Sequence, residues 1–266
     1  MRRQEPLGRS ARLLAPLAFG LLFLVAWEAL VRVKEIPAYL LPGPLLIIET
    51  LWTDGPSLLG SLWVTLQIAF AALLTAVVLG LGLAMLMSRS RWIEASLLPY
   101  AVILQVTPVV AIAPLIIIWA DDILLSLLIC AWIVAFFPIV SNTTLGLNST
   151  DRGLDDLFRL YKATPGQTLR YLQLPTALPY FMAGLRISGG LALIGAVVAE
   201  FVAGTGGSET GLAFRILEAG YRLQIPRMFA ALVLLSLAGI AIYAVLDRLS
   251  HLILRRWHES ALPKDR

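Results

Sequence analysis

Residues 151–175 read DRGLDDLFRLYKATPGQTLRYLQLP, a charged stretch set between two long apolar runs. Leu154, Leu157, Phe158 and Tyr161 recur at helical spacing with Asp155, Asp156, Arg159 and Lys162 on the other side, so the pattern predicts an amphipathic helix. One face can bury against a partner while the rim stays charged. Thr164 is placed to N-cap a second helix, with Pro165 at its first position and Gln167 three residues after the threonine, the spacing of a capping box. Pro175 is expected to stop that second helix.

The surroundings of this polar island are those of a membrane protein. Hydrophobic residues make up 59% of the 266 and charged residues 14%, far more apolar than a soluble domain. Runs near or above the roughly 20 residues needed to cross a bilayer recur at Ala11–Val33, Gly60–Ser88, Ile93–Ala120, Ile123–Leu147, Leu178–Gly204 and Met228–Leu254. The expected fold is therefore all-α and integral to the membrane, with six transmembrane helices. With six spans both termini share a side. That side collects Arg2, Arg3, Arg9 and Arg12, then Arg89, Arg91, Arg152, Arg159, Lys162 and Arg170, and finally Arg248, Arg255, Arg256, Lys264 and Arg266. The opposite loops hold only Arg32, Lys34, Arg215, Arg222 and Arg227. The positive-inside rule then puts both termini and the 151–175 island in the cytoplasm of a plasma-membrane protein. The net charge of +4 needs no nucleic-acid partner, because these residues would meet the anionic cytoplasmic leaflet and its lipid. A helix lying flat on that leaflet is the plainer alternative for the island, and Asp155 and Asp156 suit it poorly.

The first span has the basic start of a signal peptide but runs long and passes through Glu28 into Arg32, so it is expected to be retained. Cys130, the single cysteine, lies in an apolar run and is expected to pack. Pro99, Pro108, Pro114 and Pro138, with Gly184, Gly189, Gly190 and Gly195, suit either ordinary helix packing or hinged helices that open a path. The 35–59 segment, with Tyr39 and Trp52, reads as interfacial, and Asp121–Asp122 as a tight turn. The 204–227 loop opens with GTGGSETG, a flexible turn, and continues into a short re-entrant or surface helix with Leu212, Ile216, Ala219 and Leu223 on one face.

Chemistry within the chain has little to stand on. His251 and His258 have no nearby partner for a metal, and GTGG lacks the Lys-Ser/Thr ending of a phosphate loop. No catalytic residues, metal or cofactor are assigned. Glu28, Arg186 and Glu200 are charges in or beside apolar spans, where such groups usually face the protein interior or a water-filled cavity. Arg186 and Glu200 stand 14 residues apart on one span, about 21 Å at 1.5 Å per residue, and so cannot pair directly. Glu200 and Arg186, with Gln105 and Pro108 from the third span, are the candidates for a solute pathway or gate; satisfied interhelical bonding is the other reading.

The segment from Asp156 to Pro175 resembles the cytoplasmic EAA loop of importer-type ABC transporter permeases, whose pattern is Glu-Ala-Ala, three residues, Gly, nine residues, then Ile-x-Leu-Pro. Aligned on Leu174–Pro175, Asp156 takes the place of the Glu, Leu157 and Phe158 of the alanines, Lys162 of the Gly and Leu172 of the Ile. PVVAIAPLIIIWADD from Pro108, LPTALPYFMAGLRIS from Leu174 and the run Val198–Ala199–Glu200 are similar to the nitrate, taurine and sulfonate branch of these permeases, which also serves thiamine-pyrimidine systems. The likeness covers about residues 60–256, leaving 1–59 as tail, first helix and external segment and 257–266 as a cytoplasmic tail.

The resemblance implies a type-1 permease of a bacterial inner membrane, working as a homodimer with two cytoplasmic ATPase subunits and a separate solute-binding protein. ATP and magnesium would be held by the ATPases and none by this chain. The coupling residues it implies are Asp155, Asp156, Leu157, Phe158, Arg159, Tyr161, Lys162, Ala163, Thr164 and Pro165. An ion-coupled carrier would be expected to show internal repeats and more intramembrane acids, and an integral membrane enzyme a polar constellation.

Overall fold

The computed structural model describes residues 9–204 and 210–255, and every regular element among them is helical. The chain divides into two compact units, Met1–Leu59 with Arg215–Leu234 and Gly60–Phe214 with Leu235–Arg266.

In the first unit, α1 (Arg9–Val33) exposes apolar side chains such as Leu17, Phe19 and Leu22. Trp27 of α1 packs near Phe229, with ring centroids 6.0 Å apart. The 35–59 segment contains a helix that the sequence pattern did not announce, α2 (Pro44–Thr53), with Pro44 and Ile47 buried and Tyr39 and Trp52 exposed. Pro44 at its first turn explains the start, since that position needs no N–H donor. After Asp54 the chain enters α3 (Gly55–Met87), five residues earlier than the expected Gly60.

The second unit contains the rest of α3, α4 (Arg91–Val106), α5 (Val109–Ala120), α6 (Ile123–Leu147), α7 (Arg152–Leu160), α8 (Pro165–Thr168) and α9 (Leu174–Ala203). It also holds the first turn of α10 (Leu212–Tyr221) and α11 (Ile225–Leu254) from Leu235 onward. The expected span at Ile93–Ala120 is not one straight helix: α4 and α5 are bent by 99°. Thr107 is extended and its hydroxyl donates to the Ile103 carbonyl at 2.6 Å, while Pro108 cannot donate to the helix it follows. Pro99, Pro114, Pro138 and Pro179 stay inside helices, so the break is local to Pro108. Five helices among the described residues are long and apolar enough to cross a membrane, and the bent pair makes six if it counts as one span.

Pro175 does not end a helix. Residues 165–203 run on as one span through a π-helical turn, Leu169–Gln173, closed by the Leu174 N–H on the Leu169 carbonyl. The wider turn takes up the proline that an α-turn would reject. Asp121 adopts a left-handed conformation (φ 51°) and Asp122 caps α6 through Leu125 N–H at 2.7 Å, giving the expected tight turn.

The centre of this unit is the contact between α6 and α9. A Cβ on Gly184 would lie 2.7 Å from the Pro138 carbonyl oxygen, and one on Gly195 2.8 Å from Ala131 Cα. Only glycine lets the backbones approach so closely. Ala131, Ala135, Ala192, Ala196 and Ala199 fill the same core, and the buried Ser188 hydroxyl donates to the Ala135 carbonyl at 2.6 Å. Cys130 is buried among them. The Thr205–Glu209 part of the GTGGSETG run lies outside the described residues, as does His258. Leu212, Ile216 and Ala219 are buried on α10 as the spacing predicts. Leu223 departs from that face: it falls beyond the helix with φ 56° and is exposed.

Candidate functional site

The polar island is two capped helices with no buried residue on the first. Asp151 begins α7 by accepting from the N–H groups of Gly153 and Leu154 at 2.7 and 3.1 Å. Asp155 and Arg159 pair one turn apart at 2.8 Å, and Asp156 is exposed. Leu154, Leu157, Leu160 and Tyr161 also stand open, and Phe158 is half-buried. The amphipathic face is thus formed but not covered within the chain.

The end of α7 accounts for the glycine of the permease pattern, whose place Lys162 takes here. Ala163 N–H donates to the Phe158 carbonyl at 3.0 Å and Lys162 N–H to the Arg159 carbonyl at 2.9 Å, the paired bonds of a Schellman ending. Lys162 sits between them at φ 53°, a left-handed conformation that favours glycine. That is the position where the permease motif carries its Gly. The chain then turns into α8, where Thr164 and Gln167 form the reciprocal capping box and Pro165 takes the first helical position.

Two hollows flank this segment. One of about 340 Å³ is lined by Leu157, Phe158, Tyr161, Ala163, Gln167 and Tyr171, and is largely apolar. The other, about 590 Å³, is polar and includes Arg89, Asp155, Arg159 and Gln173. Asp155, Asp156, Leu157, Phe158, Arg159, Tyr161, Lys162, Ala163, Thr164 and Pro165 therefore form one surface feature. Asp151 and Tyr171 belong to it and were not singled out, although an aspartate directly before an apolar-periodic run is itself a capping signal.

The pathway candidates are not brought together. Arg186 pairs with Asp247 of α11 at 2.8 Å, both side chains partly open. No spacing in the sequence tied Asp247 to it. Glu200 lies near the other end of α9 and is fully buried. Its Oε2 accepts from the Ala213 N–H at 2.9 Å, while the Thr65 hydroxyl accepts from the Leu212 N–H at 2.8 Å. Gln105 and Pro108 sit exposed on either side of the α4–α5 bend. Glu28 binds Arg32 at 2.6 Å and accepts from the Leu45 N–H at 3.2 Å.

Within the first unit, Glu218 of α10 holds Arg215 and Arg222, each at 2.9 Å. The Arg215 hydrogen bond, with the charge of Arg222, keeps the Glu218 carboxyl below its ordinary range. Arg227 adds an ion pair to Asp54 at 3.5 Å. No cluster of three His, Cys, Asp or Glu able to hold a metal occurs among the described residues.

Comparison with known proteins gives this geometry a setting. The family model of binding-protein-dependent transport system inner membrane components matches residues 76–259. The formylaminopyrimidine transport permease protein ThiX of Halalkalibacterium halodurans is 34% identical over 247 residues, covering 92% of this chain and 97% of its own. The riboflavin transport system permease protein RibX of Chloroflexus aurantiacus is 36% identical over 244 residues, covering 90% of this chain and 88% of its own. Among solved structures, an inward-facing form of the MetNI methionine ABC transporter superposes with a TM-score of 0.63 at 21% identity, covering 74% of this chain and 95% of that one, and shows the shared fold.

Proposed function

The chain belongs to the binding-protein-dependent transport system inner membrane components and is a permease subunit of an ABC importer, and from that premise we propose that the 151–173 segment is where an ATPase subunit docks. The observation that carries the proposal is α7: capped at both ends, amphipathic, and without one buried residue. A helix so carefully terminated, with Leu157 and Tyr161 in the open, is built to lay its apolar face in a partner's groove. Leu157, Phe158 and Tyr161 would be the anchors, since buried aromatic and aliphatic groups dominate interface energy, and Asp155, Asp156, Arg159 and Lys162 would form the rim.

In this reading ATP and magnesium bind on the ATPase, and this chain holds neither. Two copies of the chain pair in an inner membrane with 151–173 and both termini in the cytoplasm, and a solute-binding protein delivers solute to the opposite face. Closure of the ATPases draws the two α7 helices together, and the spans turn that displacement into alternating access. The transported compound is a small organic solute or anion of the nitrate, sulfonate or aminopyrimidine kind. The two relatives named for pyrimidine and flavin transport favour a nitrogen heterocycle.

The test is recovery of the solubilised chain from its native membrane, wild type beside Phe158→Ala/Tyr161→Ala, followed by mass spectrometry. An ATPase recovered with wild type and lost with the variant is expected. A folded chain that keeps its ATPase in the double variant, or brings none down in either form, would overturn docking through this segment. Uptake of an aminopyrimidine, riboflavin and an alkanesulfonate in cells with and without the chain then identifies the solute class.

A further inference from the structure

Glu28 and Glu200 have no role in the docking reading, yet they share a setting. Each accepts a hydrogen bond from the second residue of a ten-residue helix: Glu28 from Leu45 of α2, Glu200 from Ala213 of α10. A glycine stands directly before each of these helices. A Cβ on Gly43 would lie 2.6 Å from Glu28 Oε2, and one on Gly211 would fall on the Glu200 carboxylate. The first N–H of each helix is also accounted for, because Pro44 has none and that of Leu212 goes to Thr65. Two glutamates on long apolar helices thus close the N-termini of two short ones, where an anion is favoured by the helix dipole.

The two sites differ in how the charge is met. Glu28 has Arg32 beside it. Glu200 is fully buried, and its Oε2 accepts from the Ala213 N–H at 2.9 Å with no cation among the described residues paired to it in the way Arg32 pairs with Glu28. The Thr65 hydroxyl donates to the Ser61 carbonyl at 3.3 Å and accepts from the Leu212 N–H at 2.8 Å, and Glu200 Oε1 has no hydrogen-bond partner among the described residues. Carboxylate and helix start therefore depend on each other. Separating them would leave buried polar groups unpaired on both sides.

We propose that Glu200 is a positioning residue of the importer: with Thr65 it latches the first turn of α10 onto α9 and α3, and it serves transport through α10 rather than by touching solute. The word transport rests on the permease assignment, whereas the latch can be read without solute or ATPase.

Leu212 is fully buried in that first turn, so Leu212→Cys reports the latch by its reaction with a hydrophilic maleimide in nanodiscs. The native Cys130 is buried in the α6–α9 core and must stay unlabelled, which controls for unfolding. Glu200→Ala, Thr65→Val and Gly211→Ala are each expected to speed labelling about tenfold, the factor for losing one buried hydrogen bond of about 1.4 kcal/mol. Thr65→Ser, which keeps the hydroxyl, should restore the slow rate. Gly211→Ala added to Glu200→Ala is the decisive variant. With the carboxylate gone the new methyl has room, so the pair should label no faster than Glu200→Ala alone, whereas independent effects would multiply to about a hundredfold. Uptake should follow the same order. Should Glu200→Ala not accumulate, the Thr65 series and Gly211→Ala decide. A neutral Gly211→Ala, or multiplying effects in the double variant, overturns the latch.

Discussion

Tyr161→Ala separates docking from folding. The tyrosine is 82% exposed, so truncation removes almost nothing that the chain itself uses. Fully burying a large apolar side chain is worth about 1.5–3 kcal/mol. With most of that still available to a partner, the substitution should weaken ATPase binding by about 2 kcal/mol, roughly thirtyfold. Arg159 is the contrast. Its side chain is 75% exposed and paired with Asp155, so Arg159→Ala should cost under about 1 kcal/mol, and that cost should shrink with added salt. The assay is titration of the chain in nanodiscs with its purified ATPase at two salt concentrations, with thermal unfolding of the chain alone as control. Tyr161→Ala should leave the melting temperature unchanged. Binding within twofold of wild type, or a larger loss in Arg159→Ala than in Tyr161→Ala, would refute an apolar anchor at this face.

At Lys162 the left-handed backbone costs an L-residue about 1–2 kcal/mol, partly offset on mutation by the freedom glycine has when unfolded, so Lys162→Gly should be neutral or up to about 1 kcal/mol stabilising. Lys162→Val should destabilise by a similar amount, and denaturation in mixed micelles compares the two. Loss of either Arg186 or Asp247 to alanine should cost about 1 kcal/mol because the pair is partly open, and the exchanged pair Arg186→Asp/Asp247→Arg should recover most of it in the same assay. Glu218 titrates below its ordinary 4.5, so its contribution to holding α10 is fully present above that pH and is lost as pH falls through the lowered value. Amide exchange of α10 should therefore quicken only below about pH 4.5, and Glu218→Gln should abolish that acid response.

What the sequence disclosed depended on the range of the interaction. The caps at Thr164 and Pro165 involve residues three apart, and the α7 face repeats within two turns, so both were legible from spacing. Pro175 misled because a proline's usual effect holds for an α-turn, and the π turn before it is a backbone choice that no side chain announces. Pro108 was named as one proline among several and as a pathway candidate, neither of which located the break; what singles it out is the extended Thr107. Leu223 matched the periodicity of α10 but lies past Tyr221, where the chain has already turned. Asp247, Thr65 and Gly211 were beyond reach because they lie 61, 135 and 11 residues from the charges they serve, and only the packed helices bring them close.

The acids in the apolar spans show how far a residue's type alone can take the argument. A charge in such a helix signals an unusual environment, and for Glu200 the sequence left two readings open, a pathway or gate and a satisfied interhelical bond. The structure gives Glu200 an interhelical neighbour of a particular sort, the start of another helix, whose free N–H groups need an acceptor as much as the carboxylate needs donors. Removing such an acid leaves donors unpaired, so a loss of transport in Glu200→Ala would not by itself place Glu200 on the solute's route. The glycine opposite it makes the distinction, because Gly211→Ala disturbs the same bond without removing any charge. The span from Pro165 to Ala203 links this bond to the docking segment through one continuous helix, with the π turn at Leu169–Gln173 as its irregular point. A displacement of Thr164–Pro165 must be absorbed at that turn or carried along α9 toward Glu200. Labelling of Leu212→Cys with and without a docked ATPase distinguishes the two, since only the second changes the rate.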